Sequence, residues 1–225
     1  MTDVKLRRDA ARNRARLLEA GREVFAQQGL DATLNDVAHH AGVGVGTAYR
    51  RFANKEDLID AIRVQQDNEL EAILNESLAM DDPWNALVLY LEKSIALHVR
   101  DRGMTELLTG RRVRPEMHDR SRNRLAPLVN RVAERARDAG AMRADATGTD
   151  LIFIQIACIS ISTVVQGSPD IEERSDSRDL YRRYLRVMLN GLSPQHGDTA
   201  PLRVQALMTE QLHDLLRSET SLPYD

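Results

Sequence analysis

Gly46, Thr47, Tyr49, Arg50 and Arg51 fall on the side of a short helix that its apolar residues, Ala48 and Phe52, leave uncovered. A hydroxyl, a phenol and two guanidinium groups on one narrow rod are suited to hydrogen bonding and to holding anions. A nucleic-acid duplex presents base edges and phosphates to such a rod. The elements that position these groups are legible on either side. Thr33 can cap a helix, with Asp36 three residues on as the acidic half of a capping box. Leu34, Val37, Ala38 and Ala41 follow at helical spacing, and Gly42 supplies the left-handed backbone that ends that helix sharply. Val43 is the apolar plug of the turn, and Asn54 caps the next helix, whose first turn is Lys55-Glu56-Asp57. Two short helices around a glycine-centred turn, backed by further helices, are the geometry that lays one helix in the major groove of DNA.

Other chemistries find little support. His39 and His40 are adjacent on a helix and so face different directions, and no two His or Cys stand at metal-site spacing. The run GVGVG at 42–46 lies between two helices with no strand before it, unlike a phosphate-binding glycine loop. Asp81-Asp82 and Glu172-Glu173 read as helix-start charges near the positive dipole end. The single Cys158 excludes an intramolecular disulfide and reads as a small buried hydrophobe. A reducing compartment and a cytoplasmic location are the expectation, since the charged N-terminus lacks an apolar signal region. No enzyme activity, cofactor or metal is expected.

Net charge divides unevenly. Residues 1–55 carry 10 Lys and Arg against 6 Asp and Glu (+4), and the remainder carries 21 against 28 (−7), giving the −3 of the whole chain. A basic head on an acidic body favours phosphate contact at one end and repels it at the other.

With aromatics at 4% and frequent Ala, Leu and Arg, the periodicity is helical throughout. Residues 1–8 form a basic arm expected to be disordered when free. A first helix over 9–28 buries Leu17, Leu18, Gly21, Val24 and Phe25, the glycine marking a close approach of another helix. Long helices are expected over 55–80, over 82–102 with Pro83 in its first turn, over 116–139, and over 174–190, with a shorter one at 104–109. Residues 151–165 alternate isoleucines in a way that also suits a strand. Length decides for a buried helix, too short and too interrupted by polar residues to span a bilayer. After residue 192 a linker leads to Thr199, and Leu202, Val204, Leu207, Met208, Leu212, Leu215 and Leu216 mark a further amphipathic helix.

The segment 33–58 resembles the DNA-binding signature of the TetR/AcrR-type one-component repressors. It matches at Thr33, Ala41-Gly42-Val43, Gly46-Thr47-x-Tyr49-x-x-Phe52 and Lys55-Glu56-x-Leu58, ungapped over about two dozen positions. Two departures are Gly44, where the family often has a capping Ser, and Ala48, where a large aliphatic is common. The resemblance implies an all-α chain. An N-terminal three-helix helix-turn-helix head, residues 1–55, joins a larger helical effector-binding and dimerisation body, 56–192; the extension at 193–225 is a departure, since most members of the family end near the position of Leu192. It further implies that Asn35, Val45, Gly46, Thr47 and Tyr49 read bases, and that Thr33, Arg50, Arg51 and Lys55 hold phosphates. Arg50 can alternatively reach guanine.

The resemblance also implies a homodimer on double-stranded operator DNA, built through the last two body helices. The interface candidates are Ile154, Cys158, Ile161, Val165, Tyr181, Tyr184, Leu185 and Met188. A small apolar effector is implied between the helices at 55–80, 82–102 and 116–139. Trp84, Val88, Leu91, His98, Met104, Leu107, Met117 and Phe153 are the candidates for its wall. The function so implied is a repressor released from its operator by that effector. The competing readings are a DNA-binding regulator whose body senses a protein or nothing, and a helical-bundle enzyme with an incidental head. The extension is expected to reinforce the dimer.

Overall fold

In the computed structural model the described residues are 2–100, 115–166, 175–194, 202 and 204–212, and among them every regular element is helical. They run α1 (Thr2–Gln28), α2 (Leu34–His40), α3 (Val45–Arg51), α4 (Lys55–Leu78), α5 (Pro83–Arg100), α6 (Pro115–Asp138), α7 (Gly148–Gln166) and α8 (Leu180–Leu192). They form two compact units, and the chain passes from the first to the second within α4, after Asn68. The expected short helix at 104–109, the position of Thr199 and the start of the expected helix at Arg174 lie outside the described residues.

In the first unit α1 begins at Thr2, so the basic arm is helical rather than separate from the helix it leads into. Lys, Leu, Arg and Ala are good helix formers, and no Gly or Pro interrupts the run before Gly21. Leu17, Val24, Phe25, Leu34, Val37, Ala38, Ala48, Phe52, Leu58 and Ile62 close one apolar core. Gly21 is where α1 and α4 meet. A Cβ there would lie 2.8 Å from Ile62 Cδ1 and 3.3 Å from Leu58 Cδ2, so a larger residue would have to push these side-chain ends aside.

The second unit packs α5, α6 and α8 around α7, with Leu74, Leu87, Leu91, Ile95, Val132, Ala136, Leu151 and Leu185 at its centre. Asp82 caps α5 by accepting the Asn85 N–H at 2.7 Å, just ahead of Pro83. Arg135 of α6 donates to the Leu78 and Met80 carbonyls at 2.7 and 2.8 Å, placing a cation at the C-terminus of α4. α6 continues through Pro127, which has no N–H to offer the Asn123 carbonyl; both residues are exposed, so water can serve instead.

α7 settles the strand–helix ambiguity as a helix. Leu151, Gln155, Cys158, Ser162 and Val165 form its buried face, and Gln155 donates to the buried Tyr90 hydroxyl at 2.5 Å. Burial pushes the Cys158 thiol up to about 11, as fits a packing residue. The expectation that this segment is too short for a bilayer needs correction. The helix extends to 19 residues, long and apolar enough by length and composition, and it packs against α5, α6 and α8.

The described part of the extension differs from the expected helix, and Leu215 and Leu216 lie outside the described residues. Residues 204–208 are not helical, and the described helical residues are 209–212 alone. Leu202, Val204 and Met208 are exposed, so the apolar spacing there serves no buried helix face. The non-helical part of the segment is tied down by polar contacts. Asp145 accepts the Leu202 N–H at 2.8 Å, and Thr149 Oγ1 donates to the Leu207 carbonyl at 2.7 Å. Hydrogen bonding from Arg143, then from the Leu202 amide, holds the Asp145 carboxyl well below the usual range. Its folded value thus lies below the unfolded value of about 3.9, and the stabilisation it gives is present above that pH and lost as pH falls through the folded value. The Leu202 amide resonance is therefore expected to stay constant from neutral pH to about pH 4 and to move only under stronger acid. A titration midpoint at or above about 4 would contradict the anchor.

Candidate nucleic-acid interface

The turn between α2 and α3 is set by backbone chemistry. Gly42 has φ +59°, its N–H donates to the His39 carbonyl at 3.0 Å, and the Val43 N–H donates to the Ala38 carbonyl at 2.9 Å. These paired bonds satisfy the last carbonyls of α2 and redirect the chain. Val43 is 8% exposed and plugs the turn. α3 then starts at Gly44, whose carbonyl accepts from the Thr47 and Ala48 N–H groups at 2.7 and 3.1 Å, with no side-chain cap. Ala48 is fully buried and Phe52 is 5% exposed, so these two hold the helix down.

Away from that anchor, Gly46, Tyr49, Arg50 and Arg51 are exposed and Thr47 is half-buried. Tyr49 is 49% exposed, so its ring belongs to the outer surface rather than the core. Arg50 Nη2 donates to Thr47 Oγ1 at 3.0 Å, laying its guanidinium along the helix beside that hydroxyl. Around Gly46 no atom lies within 4 Å of where a Cβ would stand, so its backbone is open to approach. Asn35 is exposed in the first turn of α2. Val45 is half-buried against the core and has only part of its side chain to offer.

Thr33, named for a phosphate, serves in the free chain as the cap of α2. Its N–H and its Oγ1–H both donate to Asp36 Oδ2, at 2.8 and 2.6 Å, and its Oγ1 accepts the Asp36 N–H at 3.2 Å. Both donors are engaged in the capping box, so a phosphate contact would have to draw one of them from Asp36. The Thr33 hydroxyl, followed by its N–H, holds the Asp36 carboxyl below its ordinary value. Lys55 stands half-buried at the start of α4, where Asn54 Oδ1 accepts the Asp57 N–H at 2.8 Å. Arg14 of α1 stacks over the Phe52 ring, 5.8 Å from its centroid, a contact that no helical periodicity announces. Arg63 was equally hidden from sequence reasoning. It is 3% exposed, and among the described residues its Nε and Nη1 meet no acceptor.

In the body, the residues named for dimerisation separate into two sets. Cys158, Val165, Tyr181 and Leu185 are 0, 5, 3 and 2% exposed, so they fill their own subunit's core and have no surface for a twin. Tyr184 is exposed, and Ile154, Ile161 and Met188 are half-buried. Phe153, Val164 and Val187 join Tyr184 as exposed large apolar side chains of α7 and α8. Phe153 therefore belongs to this outer face rather than to an interior wall. With Ile154, Ala157, Met188 and Gly191 it lines an open cleft of about 340 Å³.

The remaining effector candidates differ in exposure. Leu91 is fully buried, Trp84 and Val88 pack half-buried on the core, and His98 Nδ1 pairs with the Ser94 carbonyl at 2.7 Å. Met117 lies on α6, while Met104 and Leu107 lie outside the described residues.

Comparison with known proteins agrees with this geometry. Residues 17–62 match the family model described as bacterial regulatory proteins, tetR family. Residues 82–194 match the model described as transcriptional regulator SbtR-like, C-terminal domain. The HTH-type transcriptional regulators TtgW and SrpR of Pseudomonas putida, the first described as uncharacterized, are each 34% identical over 82 residues, 36% of this chain. The matched stretch spans 61% of TtgW and 38% of SrpR, less than two thirds of either. Among solved structures, the TetR transcriptional regulator SCO0520 of Streptomyces coelicolor is 29% identical with a TM-score of 0.59, covering 80% of this chain and 98% of its own. A TetR regulatory protein of Mycobacterium vanbaalenii is 26% identical with a TM-score of 0.60, covering 84% and 99%.

Proposed function

The chain belongs to the TetR family of bacterial regulatory proteins, and on that footing we propose that it is a dimeric repressor that reads operator DNA with α3 and is released by a small molecule. The observation that carries the DNA reading is the outer face of α3, where Gly46, Thr47, Tyr49, Arg50 and Arg51 are uncovered while Ala48 and Phe52 anchor the opposite side. In this reading Thr47 and Tyr49 contact base edges. Arg50, drawn toward Thr47, reaches a base or the adjoining phosphate, and Arg51 and Lys55 hold the backbone. Asn35 reads from the neighbouring helix, and Gly46 lets the α3 backbone come close.

Fluorescence anisotropy against salt separates these contributions. Lys55→Ala is expected to weaken all sequences alike and to reduce the salt slope by about one counterion per head. Thr47→Ala is expected to change which sequence is preferred. A Thr47 variant with unaltered preference, or a Lys55 variant with an unaltered slope, contradicts the assignment.

Dimerisation is supported by the uncovered apolar side chains Phe153, Val164, Tyr184 and Val187 on α7 and α8. Large exposed apolar patches mark interaction surfaces. Sedimentation of the full chain at micromolar concentration is expected to give twice the mass of one chain; a single-chain mass contradicts the dimer. Release by an effector is supported by the half-buried Trp84, Val88 and His98 along one side of α5. To act as a switch, the effector needs a differential affinity of about 1–3 kcal/mol between DNA-competent and incompetent states.

A further inference from the structure

The C-terminal segment does more than lie on the body. Together with α6 and α7 it lines a partly open cleft of about 240 Å³. Leu125, Ala126 and Val129 of α6, Ile152 of α7 and Leu212 of the segment form its apolar wall. Leu212 is 6% exposed, so this part of the segment is built into the wall rather than resting on it. No residue of α4 or α5 lines the space, which separates it from the effector position proposed above.

One end of the cleft is polar. Asn130 Nδ2 donates to Thr209 Oγ1 at 3.4 Å, joining α6 to the segment, and Thr149 stands beside them. This end exists because residue 148 is glycine. A Cβ there would fall 2.3 Å from Asn130 Oδ1 and 3.2 Å from its Cα, so any other residue would displace the amide. The charges nearby are already matched. Arg122 lies 3.7 Å from Glu210, and Asp150 sits in the first turn of α7, where its Oδ2 accepts the Thr147 N–H at 2.7 Å. The lining is otherwise almost wholly apolar, which favours a neutral body over an ionic one that would lose part of its hydration there.

We propose that this cleft is a binding site for a compact neutral molecule, an apolar body with one hydroxyl or carbonyl group directed at Asn130. A dry apolar cavity of about 150 Å³ holds benzene, so this volume suits about ten non-hydrogen atoms. The segment supplies one wall, and the site is thereby a property of this chain's extension.

The test uses the full chain with 1-indanol, and with indane as the same body without its hydroxyl. Amide resonances of Asn130, Gly148, Thr149 and Thr209 are expected to shift saturably with 1-indanol. Indane is expected to bind about three- to tenfold more weakly, the loss of one hydrogen bond. Ala126→Phe, which fills the cleft, is expected to weaken 1-indanol at least tenfold. Asn130→Leu is expected to erase the preference for indanol over indane.

Saturable shifts confined to other residues, equal affinity for the two probes, or undiminished binding by a folded Ala126→Phe protein would each overturn the proposal. Should that variant not fold, the wild-type shift pattern and the probe pair decide alone. DNA affinity is not among the readouts, so failure here leaves the DNA reading standing and the converse also holds.

Discussion

Phe25→Ala is expected to abolish DNA binding while leaving the body folded. Phe25 is 1% exposed and is among the largest fully buried side chains of the molecule, set in the core that α1 shares with α2, α3 and the start of α4. Truncating a buried phenylalanine costs about 3–5 kcal/mol, the transfer free energy of the lost ring plus the cavity it leaves. That is comparable to the entire stability of a small domain, which is about 5–15 kcal/mol. The body core, built on Leu87, Leu91, Ile95, Leu151 and Leu185, contains no head residue. Thermal denaturation of the variant should therefore show an early loss of part of the helical signal and a second transition near the wild-type temperature. A single transition shifted as a whole would show that the two units fold as one cooperative block. Retained DNA affinity would show that the packing beneath α3 is not what positions it.

Gly46→Ala is expected to move stability and function in opposite directions. Gly46 lies inside α3 with nothing near its missing side chain, so Ala is accommodated and removes the entropic penalty of a helical glycine, about 0.5–1 kcal/mol. The same methyl group stands on the face assigned to DNA, where it would keep the backbone away from the base edges. Loss of close approach there is expected to cost about 1–3 kcal/mol per head, the range of one good base contact. The head should melt later and bind more weakly. If affinity is unchanged, Gly46 does not face the duplex. Lower stability would instead mean that α3 is not the regular helix described. Gly44 makes a useful contrast, because its Cβ position is clear except for Thr47 Oγ1 at 3.9 Å and its backbone is extended, so a serine cap fits there without strain.

The head was legible in the sequence because its determinants are local. The capping box at Thr33 and Asp36, the left-handed Gly42 and the cap at Asn54 all act within a few residues, and each appears with the hydrogen bonds its type requires. Gly21 was legible as a close approach, since a helix tolerates glycine when a neighbour needs the space. What was not legible depends on which side of an apolar helix meets its own core. Tyr181, Leu185, Cys158 and Val165 carry the same composition signal as Tyr184, Val187 and Val164, yet the first set is buried and the second exposed.

The same difficulty applied to the extension. Its leucines have helical spacing, but the Leu202 N–H donating to Asp145 and the Thr149 hydroxyl donating to the Leu207 carbonyl hold part of it in a non-helical course that no local preference encodes. Thr33 shows a third limit. Its position marks it for a phosphate, and the engagement of both its donors by Asp36 is visible only in three dimensions.

Whether α3 reads a duplex as one of a symmetric pair is decided by selecting bound fragments from a random pool of double-stranded DNA with the full chain. The expected result is enrichment of a near-palindrome whose half-sites lie about 34–36 Å apart or a multiple of that, with the enriched bases altered by Thr47→Ala. Recovery of no sequence above the starting pool, or of a motif indifferent to every substitution on the outer face of α3, would contradict it.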